Sequence, residues 1–108
     1  MPMQSHYPAT EPSRAEVDGL PGPVLIEFGT SWCPHCQAIQ SDLADLLDRF
    51  PQVRHVKVED GKGKPLGRSF RVKLWPNLVF LRDGQVLQQS ARPEKEEVRR
   101  GLEAITAA

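Results

Sequence analysis

The chain has 108 residues, a length that suits one domain built around a single hydrophobic core. Apolar residues make up 39% of it, and 14 basic residues balance 14 acidic ones. This neutral balance gives no sign of a nucleic-acid or anionic-membrane partner, and no apolar run approaches the ~20 residues that span a bilayer. Two cysteines are too few for a disulfide scaffold of the kind found in small secreted proteins.

The first 22 residues form a polar, proline-rich segment that is part of, or leads into, a domain at 23–108. This segment lacks the basic and apolar regions of a signal peptide, so we expect a cytoplasmic protein. We expect a short edge strand around Gln4–Tyr7. After it, Thr10–Ser13 offers capping residues for a short helix over Arg14–Val17.

Pro23–Phe28 is nearly all apolar, which predicts a strand buried on both faces of a sheet. Its one charged residue is Glu27. Burial would raise the pKa of this carboxyl and suit it to move a proton for Cys36. The alternative is that Glu27 merely pairs with Lys57 on the neighbouring strand, and the sequence favours neither.

A helix is predicted from Cys33 to about Arg49, with Pro34 in its first turn, where the missing N–H removes no intrahelical bond. Phe50-Pro51 ends it. Its apolar residues recur at steps of three and four and form one stripe: Ile39, Leu43, Leu46, Leu47 and Phe50.

The two cysteines stand at the start of this helix. Residues three apart share a helix face, so the sulfurs of Cys33 and Cys36 can meet in a disulfide. The helix N-terminus stabilises a thiolate, which makes Cys33 the nucleophile, and Cys36 would resolve the mixed disulfide. His35 lies between them and favours the thiolate form, which makes the disulfide a stronger oxidant; the alternative is an exposed histidine with little effect.

Two other interpretations of the cysteine pair stay open. One is an inert structural pair. The other is a metal site, but zinc usually takes four ligands, no second cysteine pair exists, and His35 and His55 offer only an improvised site. We therefore predict redox chemistry with no metal and no cofactor.

The elements after this helix continue the alternation of strands and helices. Val53–Val58 predicts a strand parallel to the first, joined to it by a right-handed crossover. Pro65–Phe70 predicts a short helix. Asn77–Leu81 and Val86–Gln89 predict two antiparallel strands, and Asp83-Gly84 between them is a strong hairpin signal.

A last helix opens at Pro93-Glu94 and buries Val98, Leu102 and Ile105. The whole order predicts an α/β fold with a central mixed sheet of four to five strands and helices on both faces. From composition alone, the Trp75–Pro76 peptide is expected to be trans. Trp32 and Trp75 form either an apolar wall beside the active sulfur or ordinary core.

Over roughly residues 23–108 the sequence resembles the thioredoxin family. The resemblance rests on Val24–Phe28, on Trp32-Cys33-x-x-Cys36, and on Pro76 followed by a strand, the hairpin turn, a strand and a helix. It implies the thioredoxin fold and protein disulfide exchange. It also implies a cis Pro76 facing the cysteines, a backbone at residue 75 offered to the substrate, and a Glu27 that assists Cys36.

The sequence departs from the family pattern at several positions. Pro34-His35 stands where thioredoxins usually have Gly-Pro; this pair is associated with periplasmic disulfide-forming oxidants, so we predict a site more oxidising than ordinary thioredoxin. Gln40-Ser41 stands where many members kink the helix with proline. Ala91-Arg92 replaces a glycine at the surface that substrates and reductases approach.

The predicted catalytic residues are Cys33, Cys36, Glu27 and His35, and the predicted substrate-binding residues are Trp32, Pro34, Trp75, Pro76 and Arg92. The expected partners are disulfide-containing proteins and a dithiol or reductase electron donor. We expect a monomer that binds neither nucleic acid nor membrane. Two other function classes stay open: a non-catalytic binding or chaperone module with the same fold, and a metal- or cluster-binding protein.

Overall fold

The computed structural model describes residues 3–107. Its four strands are β1 (Pro23–Gly29), β2 (Arg54–Glu59), β3 (Asn77–Arg82) and β4 (Gln85–Ala91). Its five helices are α1 (Arg14–Asp18), α2 (Pro34–Ala38), α3 (Gln40–Arg49), α4 (Pro65–Ser69) and α5 (Lys95–Thr106). In the described part of the chain, no helix has the length and apolar content needed to cross a membrane.

The strands form one mixed sheet in the order β2-β1-β3-β4. β1 and β2 are parallel, whereas β1 pairs with β3, and β3 with β4, in antiparallel fashion. Every residue of β1 after Pro23 is buried, as its apolar run predicts. The predicted mixed sheet is confirmed, and the register sets Glu27 beside Lys57 on β2.

Each face of the sheet carries its own apolar core. On one face, Leu25 and Phe80 pack with the buried residues of α3 and α5. On the other, Ile26 and Phe28 pack with residues from α1 and α4, among them the buried Val17. The helices therefore cover both faces of the sheet, as predicted, and α1 is anchored to the sheet by its own buried side chain.

The predicted edge strand around Gln4–Tyr7 is wrong. No strand forms there, and the Gln4 N–H instead donates to the Nδ1 atom of the His55 side chain (3.0 Å). The sheet has four strands for this reason. The start of the N-terminal segment, residues 1–2, lies outside the described residues. Its predicted short helix is present as α1, with Ser13 and Glu16 forming a capping box.

The single helix predicted from Cys33 to Arg49 is also wrong, because the structure divides it at Ile39 (φ −91°, ψ −3°). The Gln40 Nε2 atom donates to the carbonyl of Cys36 (2.8 Å), one turn earlier. A side chain that enters the backbone hydrogen-bond ladder in this way interrupts a helix. The predicted apolar stripe is nevertheless buried at Leu43, Leu46 and Leu47.

The remaining elements agree with their sequence signals to within about two residues. Asp83 (φ 50°) and Gly84 (φ 80°) both adopt the left-handed conformation of a type I′ turn between β3 and β4. The Asp83 carboxylate accepts from the Gly22 N–H (2.7 Å), which ties this turn to the start of β1. α5 buries Val98, Leu102 and Ile105 as predicted.

Candidate active site

The two cysteines lie at the start of α2, with Cys33 as its N-cap residue. The Cys33 sulfur accepts from the Cys36 N–H (3.2 Å), so it occupies the place of a capping oxygen. Both thiols are free, and their residues are 5% and 1% exposed respectively. Burial, reinforced by the contact with Cys33, raises the pKa of the Cys36 thiol to about 12. Cys36 is thus a protonated thiol behind the more accessible Cys33.

The residues around Cys33 form an open rim. Pro34 and His35 are exposed in the first turn of α2. Trp32 is 68% exposed, and its ring meets that of Trp75 edge to face at 5.7 Å. The two tryptophans therefore form a surface wall beside Cys33, and the alternative of ordinary core packing is wrong for Trp32. The role of His35 stays a prediction.

The Trp75–Pro76 peptide is cis, as the resemblance implied and against the expectation from composition. The Arg92 N–H donates to the carbonyl of Pro76, and its Nε donates to the carbonyl of Trp75, both at 2.8 Å. The Trp75 indole donates to Asp60 (2.8 Å). Arg92 therefore binds the backbone of residue 75, which the resemblance offers to the substrate.

Glu27 is fully buried in the middle of β1 and is held by three side chains. Its Oε1 pairs with the His55 Nε2 (2.8 Å), and its Oε2 accepts from the Gln40 Nε2 (2.8 Å) and the Lys57 Nζ (3.4 Å). Because His55 Nδ1 accepts from the Gln4 N–H, the proton of its neutral ring lies on Nε2, which donates to Glu27. The expected contact with Lys57 exists, but it is the longest of the three.

The protonation state of Glu27 differs from the sequence expectation. Burial pushes the pKa of its carboxyl upward, but the hydrogen bond from His55 and the positive charge of Lys57 outweigh burial and hold the pKa below its usual value. The prediction of a raised pKa is therefore wrong. Glu27 is a carboxylate at neutral pH, and it acts on its surroundings as a fixed negative charge.

Gln40 joins this carboxylate to the cysteine pair. Its Nε2 donates both to Glu27 and to the Cys36 carbonyl, while its Oε1 accepts from the Lys57 Nζ (3.0 Å). The sequence interpretation gave no role to this amide and considered His55 only as an improvised metal ligand. A signal was available: His55 and Lys57 are alternate residues of a strand beside Glu27, so they share one face with it.

A pocket of about 390 Å³ adjoins Cys36, and neither tryptophan lines it. Tyr7, Thr30, Gln40 and Lys57 are among its lining residues. Tyr7 belongs to the segment predicted as an edge strand, and no sequence signal placed it here. Among residues 3–107, no group of three or more His, Cys, Asp or Glu is placed to hold a metal ion.

Comparisons with known proteins agree on one family. A family model described as thioredoxin matches residues 9–104. Among solved structures, thioredoxin 2 from Pseudomonas aeruginosa PAO1 in its reduced form is 50% identical, with a TM-score of 0.83 over 95% of this chain and 96% of that one.

Curated relatives are more distant. Thioredoxin H-type 1 of Nicotiana tabacum is 31% identical over 79 residues, which are 73% of this chain and 63% of the relative. A thioredoxin of Aspergillus fumigatus is 28% identical over 68 residues, which are 63% of each chain. The chain therefore spans a little under two thirds of the length of these two curated relatives.

Proposed function

The chain belongs to the thioredoxin family, and we propose that it is a thiol-disulfide oxidoreductase that acts on disulfide-containing proteins. The observation that carries the proposal is the pair of free thiols at the start of α2, with Cys33 at the N-cap (5% exposed) and Cys36 more deeply buried (1% exposed). A thiolate is the attacking species in thiol–disulfide exchange, and the free N–H groups of a helix N-terminus favour it.

The exchange takes two steps. Cys33 attacks one sulfur of the substrate disulfide, a mixed disulfide forms, and the other substrate sulfur leaves as a thiolate and takes up a proton. Cys36 then attacks the Cys33 sulfur and releases the second substrate thiol. Two electrons pass from the cysteine pair to the substrate, and a dithiol or reductase donor returns them. Run backwards, the same steps donate a disulfide.

The substrate would lie in the groove between the first turn of α2 and the cis-proline loop. We propose that Trp32 and Pro34 line one side of this groove and that Trp75 and Pro76 line the other. The rings of Trp32 and Trp75 meet edge to face at 5.7 Å, and the Trp75–Pro76 peptide is cis. The Arg92 Nε already donates to the Trp75 carbonyl, so a substrate N–H that binds there would have to use the second lone pair of that oxygen. Arg92 therefore places a cation beside this backbone oxygen.

The cysteine variants test this function in an insulin-type disulfide reduction assay. Cys33→Ser should abolish turnover, whereas Cys36→Ser should accumulate mixed disulfides with the substrate. Normal turnover by Cys36→Ser would show that the two roles are misassigned. Undiminished partner binding by the double serine variant would favour a non-catalytic binding module, and bound iron or zinc in the purified protein would favour a metal site.

We also propose a reduction potential above that of ordinary thioredoxin. His35 is exposed in the turn between the two sulfurs, where a positive or hydrogen-bonding ring favours the thiolate form of the pair. Equilibration with glutathione should give a value less negative than the figure of about −270 mV for thioredoxin. His35→Ala should lower it, and His6→Ala, which changes a histidine outside the motif, should not. A wild-type value at or below the thioredoxin figure would overturn this proposal.

A further inference from the structure

The N-terminal segment contacts the buried groups behind the cysteine pair. The Gln4 N–H holds the His55 ring, and the Tyr7 ring lies over the Lys57 ammonium, 4.5 Å from its Nζ to the ring centroid. The segment therefore touches two of the three side chains that bind Glu27. These contacts fix where the Tyr7 side chain lies relative to the active site.

The Tyr7 hydroxyl approaches Cys36 over the last residue of β1. A Cβ atom built on Gly29 would lie 2.5 Å from the Cys36 sulfur and 2.9 Å from the Tyr7 oxygen. Real Cβ atoms do not approach other atoms so closely, so only glycine leaves room for both groups. The thiol and the hydroxyl thus share the space that a side chain at position 29 would fill.

The hydroxyl is a buried donor that lacks an acceptor. Among the described residues, no group makes a hydrogen bond of ordinary geometry to the Tyr7 oxygen, and the Thr30 hydroxyl beside the same pocket is in the same state. An unsatisfied buried hydroxyl costs about 1–3 kcal/mol, so such groups usually serve a function or bind something. Burial, with the negative charge of Glu27, raises the pKa of Tyr7 and keeps its proton in place.

We propose that Tyr7 donates a hydrogen bond to the Cys36 thiolate that forms when the mixed disulfide is resolved. This inference rests on the proposed disulfide exchange. In that step Cys36 gives up its proton, the Cys33–Cys36 bond forms, and the bond from Cys33 to the substrate breaks. The electron pair goes to the substrate sulfur, which takes up the proton that Cys36 lost. Tyr7 keeps its own proton and stabilises the thiolate that attacks.

The resting structure explains why such help is needed. Burial raises the pKa of the Cys36 thiol to about 12, so the thiol is protonated at pH 7. Glu27 nearby is a carboxylate, and its charge makes the Cys36 thiolate still less favourable. Tyr7 is the described hydroxyl whose oxygen shares the Gly29 space with the sulfur, and a neutral O–H adds no further negative charge.

The test uses the full-length reduced protein and the aromatic disulfide 5,5′-dithiobis(2-nitrobenzoate). Attack by Cys33 releases one equivalent of coloured thiolate, and resolution by Cys36 releases the second, so stopped-flow absorbance separates the two steps. Tyr7→Phe should leave the first phase within two-fold and slow the second about ten-fold, because hydrogen bonds to charged groups contribute about 1.5–3 kcal/mol. His6→Gln, at another residue of the same pocket lining, should change neither phase.

The pH profile distinguishes a chemical role from loosening of the segment. In Tyr7→Phe the rate of the second phase should rise with pH at a higher pH than in the wild type, since the thiolate is less stable. Equal second-phase rates and profiles in Tyr7→Phe and the wild type would overturn the inference while leaving the proposed function intact. A wild type without any second phase would contradict the proposed function itself.

A second measurement uses the fact that Tyr7 is the only tyrosine in the chain. Biosynthetic replacement of tyrosine by 3-fluorotyrosine changes this side chain alone and keeps its shape, so folding is not at issue. The fluorinated phenol is a stronger hydrogen-bond donor, and the second phase should become faster by a few-fold. A second phase that is unchanged or slower would contradict the inference.

Discussion

Glu27→Gln removes the buried negative charge while it preserves the size of the side chain, and it should lower the free energy of unfolding by about 3 kcal/mol. The substitution leaves the Lys57 ammonium, in a residue only 4% exposed, without its counter-charge. It also turns one acceptor oxygen of residue 27 into an NH₂ group. That group must face one of the donors from His55, Gln40 or Lys57.

The size of this loss in the free energy of unfolding depends on the contacts that the Lys57 ammonium keeps in the variant. Removing one partner of a buried ion pair typically costs about 3–5 kcal/mol, because the other charge stays buried and uncompensated. Here the Lys57 ammonium keeps its hydrogen bond to the Gln40 Oε1 (3.0 Å) and its position over the Tyr7 ring. These contacts place the expected cost at the lower end of that range.

Urea unfolding at pH 7 measures the effect, with Glu94→Gln as the control, because it makes the same chemical change at an exposed glutamate. The double variant Glu27→Gln/Lys57→Met removes both charges and should recover part of the loss. If Glu27→Gln is as stable as the control within about 0.5 kcal/mol, the network around Glu27 does not hold a carboxylate and the reasoning is refuted.

The pH dependence of the stability difference between the wild type and Glu27→Gln gives the direction in which the pKa of Glu27 is shifted. Because the pKa of Glu27 is lower in the folded than in the unfolded state, its contribution is fully present above the ordinary glutamate value of about 4.3. It is lost as the pH falls through the lower folded pKa. The stability difference between wild type and Glu27→Gln should therefore be flat from pH 5 to 8 and shrink only in stronger acid. A raised pKa would make it vary between pH 5 and 8.

Three further substitutions test local features by urea unfolding. Gly101→Ala should destabilise the protein by about 1–2 kcal/mol, because the new Cβ would lie 2.6 Å from the buried Phe80 ring; higher stability would contradict this packing. Arg92→Gly should stabilise it by about 1 kcal/mol by relieving a left-handed residue (φ 49°), despite the lost bond to Trp75, and a loss of stability would refute this. Ser13→Ala should cost about 1 kcal/mol through the capping box of α1, and no change would argue against that cap.

The parts of the fold that the sequence predicted are those with local signals. The apolar run of β1, the apolar stripe of α3 and the Asp83-Gly84 turn each carry their own periodicity or backbone requirement. The cysteine pair was placed correctly because proline and cysteine at the start of a helix form such a local signal. These elements were sufficient to predict a mixed sheet flanked by helices within the α/β class, but not the order of its strands.

The parts that could not be predicted depend on residues far apart in the chain. The Gln40 amide that interrupts the helix donates to Glu27, 13 residues away in the sequence, and accepts from Lys57, 17 residues away. The lowered pKa of Glu27 depends on His55, which is 28 residues later in the sequence. No periodic pattern in the sequence predicts these contacts, because the residues come together only when the sheet has formed.

The interruption between α2 and α3 differs in kind from the proline kink that many thioredoxins carry. A proline breaks a helix permanently, because its ring lacks the N–H and clashes with the preceding turn. Here the break depends on one amide that binds the Cys36 carbonyl and the Glu27 carboxylate together. A hydrogen bond is reversible, so the break between α2 and α3 is held by a non-covalent contact of Gln40 rather than by covalent structure. A single substitution at position 40 would therefore remove both the contact that interrupts the helix and a hydrogen bond to the Glu27 carboxylate.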